Sequence, residues 1–117
     1  MAGARVLVIE DEMLPAMMLQ DLVSGLGYSV VGPAARPEQA LRLVEKERPD
    51  AVILDINLGG KSAFPVAAAL AERAIPFAFV TGYDRNQLPA EWRDQLLLQK
   101  PFTRARLAQT LSALLAA

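Results

Sequence analysis

Short apolar runs along this chain each end in a polar residue, and this pattern constrains the fold more than any other feature. Such runs, bounded by turn residues and separated by helical patterns, are typical of buried parallel strands. In an open α/β sheet the carboxyl ends of these strands face one crevice. The polar residues after the runs are therefore expected to meet in one pocket: Glu10, Asp11, Asp55, Thr81 and Lys100.

The strands predicted in this way cover residues 6–9, 28–31, 51–55, 77–81 and 96–99. Because helical patterns alternate with them, the strands should form a parallel sheet covered by helices on both faces. Right-handed crossover connections leave few arrangements of such units. We expect a flavodoxin-like, three-layer (βα)5 fold with a central five-stranded sheet in the order 2-1-3-4-5.

The helices are predicted from apolar residues at helical spacing and from their end signals. The second and third begin near Pro37 and Pro65, and Thr103 caps the last. Turn residues predominate between Thr81 and Lys100, so the fourth helix is expected to be short or disordered. The apolar face of the first helix is assigned to Leu14, Met18, Leu22 and Leu26.

Composition excludes several classes of function. The 117 residues suit one domain over 1–117, and a second domain has no room. A net charge of −1 without a basic block gives no footprint for nucleic acid or a membrane surface, and no run is long enough to span a bilayer. The absence of histidine and cysteine excludes a Ser-His-Asp triad and a thiolate or imidazole metal site. A cytoplasmic protein is expected.

The pocket residues suit phosphoryl transfer. Clustered carboxylates from Glu10, Asp11 and Asp55 repel one another unless a cation neutralises them, and Mg²⁺ prefers such oxygen ligands. With that charge shielded, the Asp55 carboxylate can attack phosphorus and form an acyl phosphate. Lys100 would neutralise charge on the opposite side and Thr81 would donate a hydroxyl. The neighbouring Gly82 leaves the approach open.

The chain resembles the receiver domain of bacterial two-component response regulators. The matching pieces occur in order along nearly the whole chain: V-L-V-I-E-D-E at 6–12, A-V-I-L-D at 51–55, F-V-T-G at 79–82 and L-Q-K-P-F at 98–102. Each piece is weak alone, and together they are strong.

This resemblance implies a role for each matching residue. Asp55 would accept a phosphoryl group from the phosphohistidine of a histidine kinase, Lys100 would pair with that group, and Thr81 would sense its arrival. Mg²⁺ would be held by Glu10, Asp11, Asp55 and the backbone carbonyl of Asn57. The Lys100–Pro101 bond is cis in similar proteins. We therefore expect a single receiver domain over 1–117 with no output domain. We also expect a monomer or weak dimer, with an unknown downstream protein as a further partner.

Two features are unusual for the family. Leu97 stands three residues before Lys100, where most receivers carry Tyr or Phe, and the interval from Thr81 to Lys100 is short for a full fourth helix. These two features and the sequence P-F-A-F-V-T-G-Y at 76–83 resemble the receiver subfamily that is named for a Phe-Ala-Thr-Gly motif. In this chain, Val80 replaces the Ala of that motif. That subfamily is commonly partnered with kinases of the HWE type. Tyr83 is a candidate reporter in place of the missing ring.

Two other functions remain open at this point. One is a receiver-like protein-binding module that is never phosphorylated, although the intact set of pocket residues disfavours it. The other is a phosphohydrolase with an Asp nucleophile, but Asn57 stands where such an enzyme would need a second acid two residues after Asp55.

Overall fold

The computed structural model describes residues 3–82 and 84–116. The strands in these residues are β1 (Arg5–Ile9), β2 (Ser29–Ala34), β3 (Ala51–Asp55), β4 (Asn57–Leu58), β5 (Lys61–Ser62), β6 (Phe77–Thr81) and β7 (Leu97–Gln99). The helices are α1 (Met13–Gly25), α2 (Pro37–Glu47), α3 (Phe64–Glu72) and α4 (Arg104–Leu115).

Five strands form a parallel sheet in the order β2-β1-β3-β6-β7. Since β6 and β7 are the fourth and fifth strands predicted from the sequence, the flavodoxin-like order is confirmed. The order reverses between β1 and β3, which are neighbours with Ile9 opposite Leu54. Their carboxyl ends therefore lie side by side, as the ligand crevice of such sheets requires.

Strand alternation divides the core into two layers. Leu54 and Phe79 lie on the sheet face packed by α2 and α3, whereas Ile53 and Val80 lie on the face packed by α1 and α4. All residues of β3 and β6 are buried, which agrees with continuous apolar runs in central parallel strands. The three-layer architecture expected from the sequence is thus confirmed.

The predicted apolar face of α1 is wrong in part. Leu14 and Met18 are 68% and 58% exposed, and the buried residues of the helix are Ala16, Leu19 and Val23. The segment M-L-P-A-M-M-L is apolar all round its first two turns, so more than one helical stripe fits the sequence. The structure buries Leu19 and Val23 together with the small Ala16, so Leu14 and Met18 lie on the outer side of the helix.

Two local features near β2 and β3 were not predicted. β2 continues to Ala34 through a cis Gly32–Pro33 bond, and Gly32 has a φ of +93°. A Cβ at Gly32 would lie 3.0 Å from a backbone nitrogen and 3.1 Å from the carbonyl oxygen of Val8, so glycine is needed there. Directly after β3, β4 and β5 pair as a two-residue antiparallel hairpin.

The stretch before β7 has two 3₁₀ turns, at Arg85–Gln87 and Ala90–Trp92, and no α-helix in its described residues. The expectation of a short or disordered fourth helix is confirmed as a shortened one, since two ordered 3₁₀ turns stand in its place. Residues 84–96 are called the switch segment below. Among the described helices, none is both long and apolar enough to cross a membrane.

Candidate functional site

Four strands deliver polar residues to one edge of the sheet. Glu10 directly follows β1, Asp55 is the last residue of β3, Thr81 is the last of β6, and Lys100 directly follows β7. β3 and β6 are buried throughout, β1 is buried from Val6 to Ile9, and β7 contributes the buried Leu98, so the core fixes the backbone that positions these side chains. The polar residues predicted from the ends of apolar runs therefore lie at one edge.

Three carboxylates form the acidic part of this site. Glu10, Asp11 and Asp55 each place an oxygen atom within 4.8 Å of the others. Glu10 is 2% and Asp55 9% exposed, so little water surrounds their charge. A hard cation bound by oxygen atoms fits this donor set, and Mg²⁺ is such a cation.

Lys100 neutralises the two buried carboxylates. Its Nζ lies 3.1 Å from Oε1 of Glu10 and 3.3 Å from Oδ2 of Asp55. Partial burial disfavours the charged amine, but the Asp55 and Glu10 carboxylates outweigh it and raise the pKa of Lys100. The ammonium is therefore a fixed positive charge beside Asp55.

Glu10 is the most perturbed acid of the site. Burial, followed by the hydrogen bond and the charge of Asp55, raises the pKa of Glu10 to about 7. The backbone N–H of Glu12 donates to Oε2 of Glu10 at 3.2 Å and, with Lys100, acts in the opposite direction. Without a cation, the site therefore tends to retain a proton near neutral pH.

Backbone N–H groups of the β4–β5 hairpin donate hydrogen bonds to two of the carboxylates. Asn57 N donates to Oδ1 of Asp55 at 3.1 Å, and Gly59 N donates to Oδ2 of Asp11 at 2.9 Å. Gly59 has a φ of +62°, which glycine adopts without strain. The bond from Gly59 to Asp11 was not predicted from the sequence, where its only signal is the Gly59-Gly60 pair.

The predicted switch residues lie around the same edge. Thr81 is 4% exposed, and its carbonyl oxygen accepts a hydrogen bond of 2.8 Å from the backbone N–H of Lys100. Gly82 is exposed, with open space where a Cβ would stand. Leu97 is half-buried against the core layer of α2 and α3. The Lys100–Pro101 bond is cis. Tyr83 lies outside the described residues.

An exposed apolar surface on α1 borders the site and was missed by the sequence interpretation. Met13, Leu14, Met17 and Met18 are each more than half exposed. Beside them is an apolar groove of about 510 Å³, lined by Pro15, Met18, Leu19, Leu22, Lys100, Pro101 and Phe102. Since Lys100 belongs to both the groove and the carboxylate cluster, the two are continuous.

The family model of the response regulator receiver domain matches residues 6–112. The chain belongs to the response regulator receiver family. Receivers are signalling domains of two-component systems, in which phosphorylation of an Asp and binding of Mg²⁺ are typical. They interact with histidine kinases and with downstream partners.

Three relatives illustrate the similarity. The phyllosphere-induced regulator PhyR of Methylorubrum extorquens is 35% identical over 94% of this chain and 43% of its own length. The solution structure of SdrG from Sphingomonas melonis Fr1 is 46% identical over 98% of both chains, with a TM-score of 0.85. SdrG is also known in a BeF3-activated conformation. The receiver domain of the sensor histidine kinase PA1611 from Pseudomonas aeruginosa holds magnesium in its active-site cleft, at 25% identity, a TM-score of 0.82, and coverage of 99% of this chain and 100% of its own.

The chain spans about half the length of the curated relatives that it matches first. The absence of an output domain therefore stays a prediction.

Proposed function

We propose that the chain is a phosphoacceptor that takes a phosphoryl group from the phosphohistidine of a histidine kinase onto Asp55 and then changes its partner binding. The observation that carries this proposal is the position of Lys100 Nζ, 3.3 Å from Asp55 on one side of a three-carboxylate cluster. A nucleophile, a cation site and a fixed ammonium are thereby available together, as phosphoryl transfer requires.

In the proposed reaction, a carboxylate oxygen of Asp55 attacks phosphorus while the bond from phosphorus to the donor imidazole nitrogen breaks. The nitrogen keeps the electron pair of the broken bond, and an acyl phosphate forms on Asp55. Lys100 can pair with the negative charge of the transferred phosphoryl group because its Nζ already lies beside the Asp55 carboxylate. Glu10 and Asp11, with Asp55 and the backbone carbonyl of Asn57, would hold Mg²⁺. Bound Mg²⁺ supplies neutralisation of phosphoryl oxygen charge.

The domain would thus catalyse its own phosphorylation and dephosphorylation without acting on an external substrate. Thr81 and Gly82 would contact the phosphoryl group, and the region from Thr81 to Lys100 would transmit its presence. We also place the chain in the Phe-Ala-Thr-Gly subfamily, supported by its motif, by Leu97 and by the two 3₁₀ turns in place of a full helix. The cytoplasm is the proposed location.

The first test is phosphorylation by acetyl phosphate with Mg²⁺, measured by intact mass and by the stability of the label. We expect one phosphoryl group, stable in acid and labile in base, that is lost in Asp55→Asn. The matched control is Asp21→Asn at an exposed position of α1, which should label normally. Native protein that carries no label would support the alternative of a non-phosphorylated binding module, and rapid turnover of varied phosphate esters would support a hydrolase.

A protein donor is proposed because an apolar docking surface adjoins the acceptor. A donor imidazole must reach Asp55, and the exposed α1 residues with the groove beside Lys100 provide contact area next to that path. Exposed apolar side chains grouped beside an apolar groove are typical of protein interaction sites. The kinase is proposed to be of the HWE type, and the downstream protein is unknown.

The docking surface is tested with Met18→Glu, which puts a charge into the groove. Phosphotransfer from the phosphorylated cognate kinase should fall at least about tenfold, which is the loss of roughly 1.4 kcal/mol. Labelling by acetyl phosphate should be unchanged. Ala113→Glu places the same charge at an exposed position of α4 and serves as the matched control. Equal loss with both donors would contradict docking at α1, because it would indicate damage to the pocket.

A further inference from the structure

The switch segment rests on the sheet through two apolar side chains. Leu88 is only 2% exposed and belongs to the core layer of α2 and α3. Trp92 is half-buried, and its ring lies parallel to Phe64, with centroids 6.2 Å apart and an angle of 8°. The same ring makes edge contacts with Phe77 at 6.1 Å and Phe79 at 5.8 Å. Such aromatic pairs stabilise a structure beyond the apolar area that they bury.

The polar contacts of the switch segment are largely internal. Arg85 donates from Nη1 to the carbonyl oxygens of Arg93 and Gln95, and Arg93 donates from Nε to that of Leu88 at 3.0 Å. Asp84 and Gln87 form a capping box at the first turn. Its hydrogen bonds to β6 come from the C-terminal end: the Gln95 side chain donates to the carbonyl oxygen of Phe77, and the carbonyl oxygen of Leu96 accepts from the backbone N–H of Phe79 at 3.0 Å. Residues 84–94 thus satisfy their polar groups mainly among themselves, and their attachment to the sheet is mainly apolar.

Both ends of this connection lead to pocket residues. Thr81 ends the strand that carries Phe77 and Phe79, and Lys100 directly follows β7. By strand alternation, Thr81 lies on the same face of β6 as the two rings under Trp92. A phosphoryl group on Asp55 that draws Thr81 towards it therefore acts on the strand end beneath the aromatic cluster. Packed clusters respond to such displacements by changing between discrete arrangements.

We propose that the Trp92 side chain acts as a latch, by which we mean a contact that keeps the switch segment on the sheet until phosphorylation. This proposal rests on the proposed phosphorylation of Asp55. The Trp92 ring holds the switch segment on Phe64, Phe77 and Phe79 in the unphosphorylated protein, and phosphorylation releases it. The aromatic element of the switch then belongs to the segment and not to β7, where Leu97 provides no ring. Release uncovers the aromatic surface of Phe64 and Phe77 for a downstream protein.

The chain has a single tryptophan, so its fluorescence reports the latch directly. Beryllofluoride with Mg²⁺ stands in for the phosphoryl group. We expect the emission of the native protein to move to longer wavelength on addition, as the indole enters water, and Asp55→Asn to show no change. Glu91→Gln, at an exposed position of the same turn, is the matched control and should respond as the native protein does.

A second measurement separates a latch from mere packing. Because coupling between two sites is reciprocal, a weaker latch must make the activated state easier to reach. Trp92→Ala should lower the beryllofluoride concentration at half saturation several-fold, measured by fluorine NMR, while Trp92→Phe should remain near the native value. A structural role alone would lower the unfolding temperature of Trp92→Ala and leave this concentration unchanged, which would overturn the latch.

Leu88→Ala provides the test if Trp92→Ala does not fold, since it weakens the same attachment and keeps the reporter. Its emission should lie at longer wavelength before any beryllofluoride is added. Bound beryllofluoride with unchanged Trp92 emission in the native protein would overturn the latch and leave the phosphoacceptor proposal standing. Absence of both bound beryllofluoride and an acetyl phosphate label would overturn both proposals.

Discussion

The phosphoacceptor pocket and the switch segment are built in opposite ways. The pocket takes its side chains from strand ends whose backbone is fixed by buried neighbours, and its charges are paired within 3.3 Å. The switch segment has no regular helix in its described residues and rests on Leu88 and Trp92. A rigid chemical site beside a weakly attached element is the arrangement expected of a switch, because responsive elements come from the low-stability part of a fold.

The largest expected effect breaks the rigid half of this comparison. Lys100→Ala removes the ammonium between two buried carboxylates, and we expect phosphorylation by acetyl phosphate to slow by about a hundredfold, as for loss of a preorganised charge partner. Lys46→Ala, at an exposed position of α2, is the control and should label at the native rate. A Lys100→Ala rate within about threefold of native would mean that its charge is not used.

A smaller effect tests the weakly attached half. Leu88→Ala should lower the free energy of unfolding by about 2 kcal/mol. This is the low end of the range for a buried Leu, because the switch segment can detach while the sheet stays folded. Amide exchange should accelerate in residues 84–96 and stay unchanged in β1 and β3. Leu98→Ala, in the sheet core, is the matched control and should accelerate exchange throughout. Amide exchange in residues 84–96 of the native protein that is as slow as in the strands would contradict a weakly attached switch segment.

The smallest effect concerns the charge inside the pocket. The pKa of Glu10 is about 7 in the folded protein against 4.5 ordinarily, so between these pH values the folded state binds more protons than the unfolded state. Metal-free stability due to this group is therefore present below pH 4.5 and lost as pH rises to about 7. Glu10→Gln has no carboxylate to bury, so at pH 8 its unfolding temperature should be a few degrees higher than that of the native protein. A change of 1 kcal/mol in the free energy of unfolding shifts this temperature by roughly 4–8 °C.

This comparison is made in a chelator at pH 5 and pH 8 by thermal unfolding. The advantage of Glu10→Gln over the native protein should be larger at pH 8. Glu12→Gln, at an exposed neighbouring position, is the control. An advantage that is the same at both pH values would show that the buried carboxyl does not titrate between them.

The pocket was predictable because the rule that carries it is local. An apolar run that ends in Asp55 or Thr81 predicts both the strand and the position of its last side chain. The order of the strands follows from the right-handedness of crossover connections. The composition added that only oxygen ligands were available. The outline of the fold and the neighbourhood of the pocket residues could therefore be obtained from the sequence, whereas the roles of those residues await experiment.

The contacts that escaped prediction join residues through space without a periodic signal. The bond from Gly59 to Asp11 spans 48 positions and involves a backbone N–H, which every residue type except proline offers. Trp92 lies in a turn region where no period relates it to Phe64. In α1, the opposite difficulty arose: apolar residues surround the helix, so its pattern could not decide between Leu14 and Ala16 for the core.

The exposed methionines of α1 have a chemical consequence beyond docking. Met13, Met17 and Met18 present thioethers to water at 79%, 52% and 58% exposure. Oxidation to the sulfoxide would convert this flexible apolar face into a polar one without touching a carboxylate of the pocket. We expect mild peroxide treatment to weaken transfer from a kinase, spare labelling by acetyl phosphate, and be reversed by methionine sulfoxide reductase. The same helix face would then make signalling sensitive to oxidants.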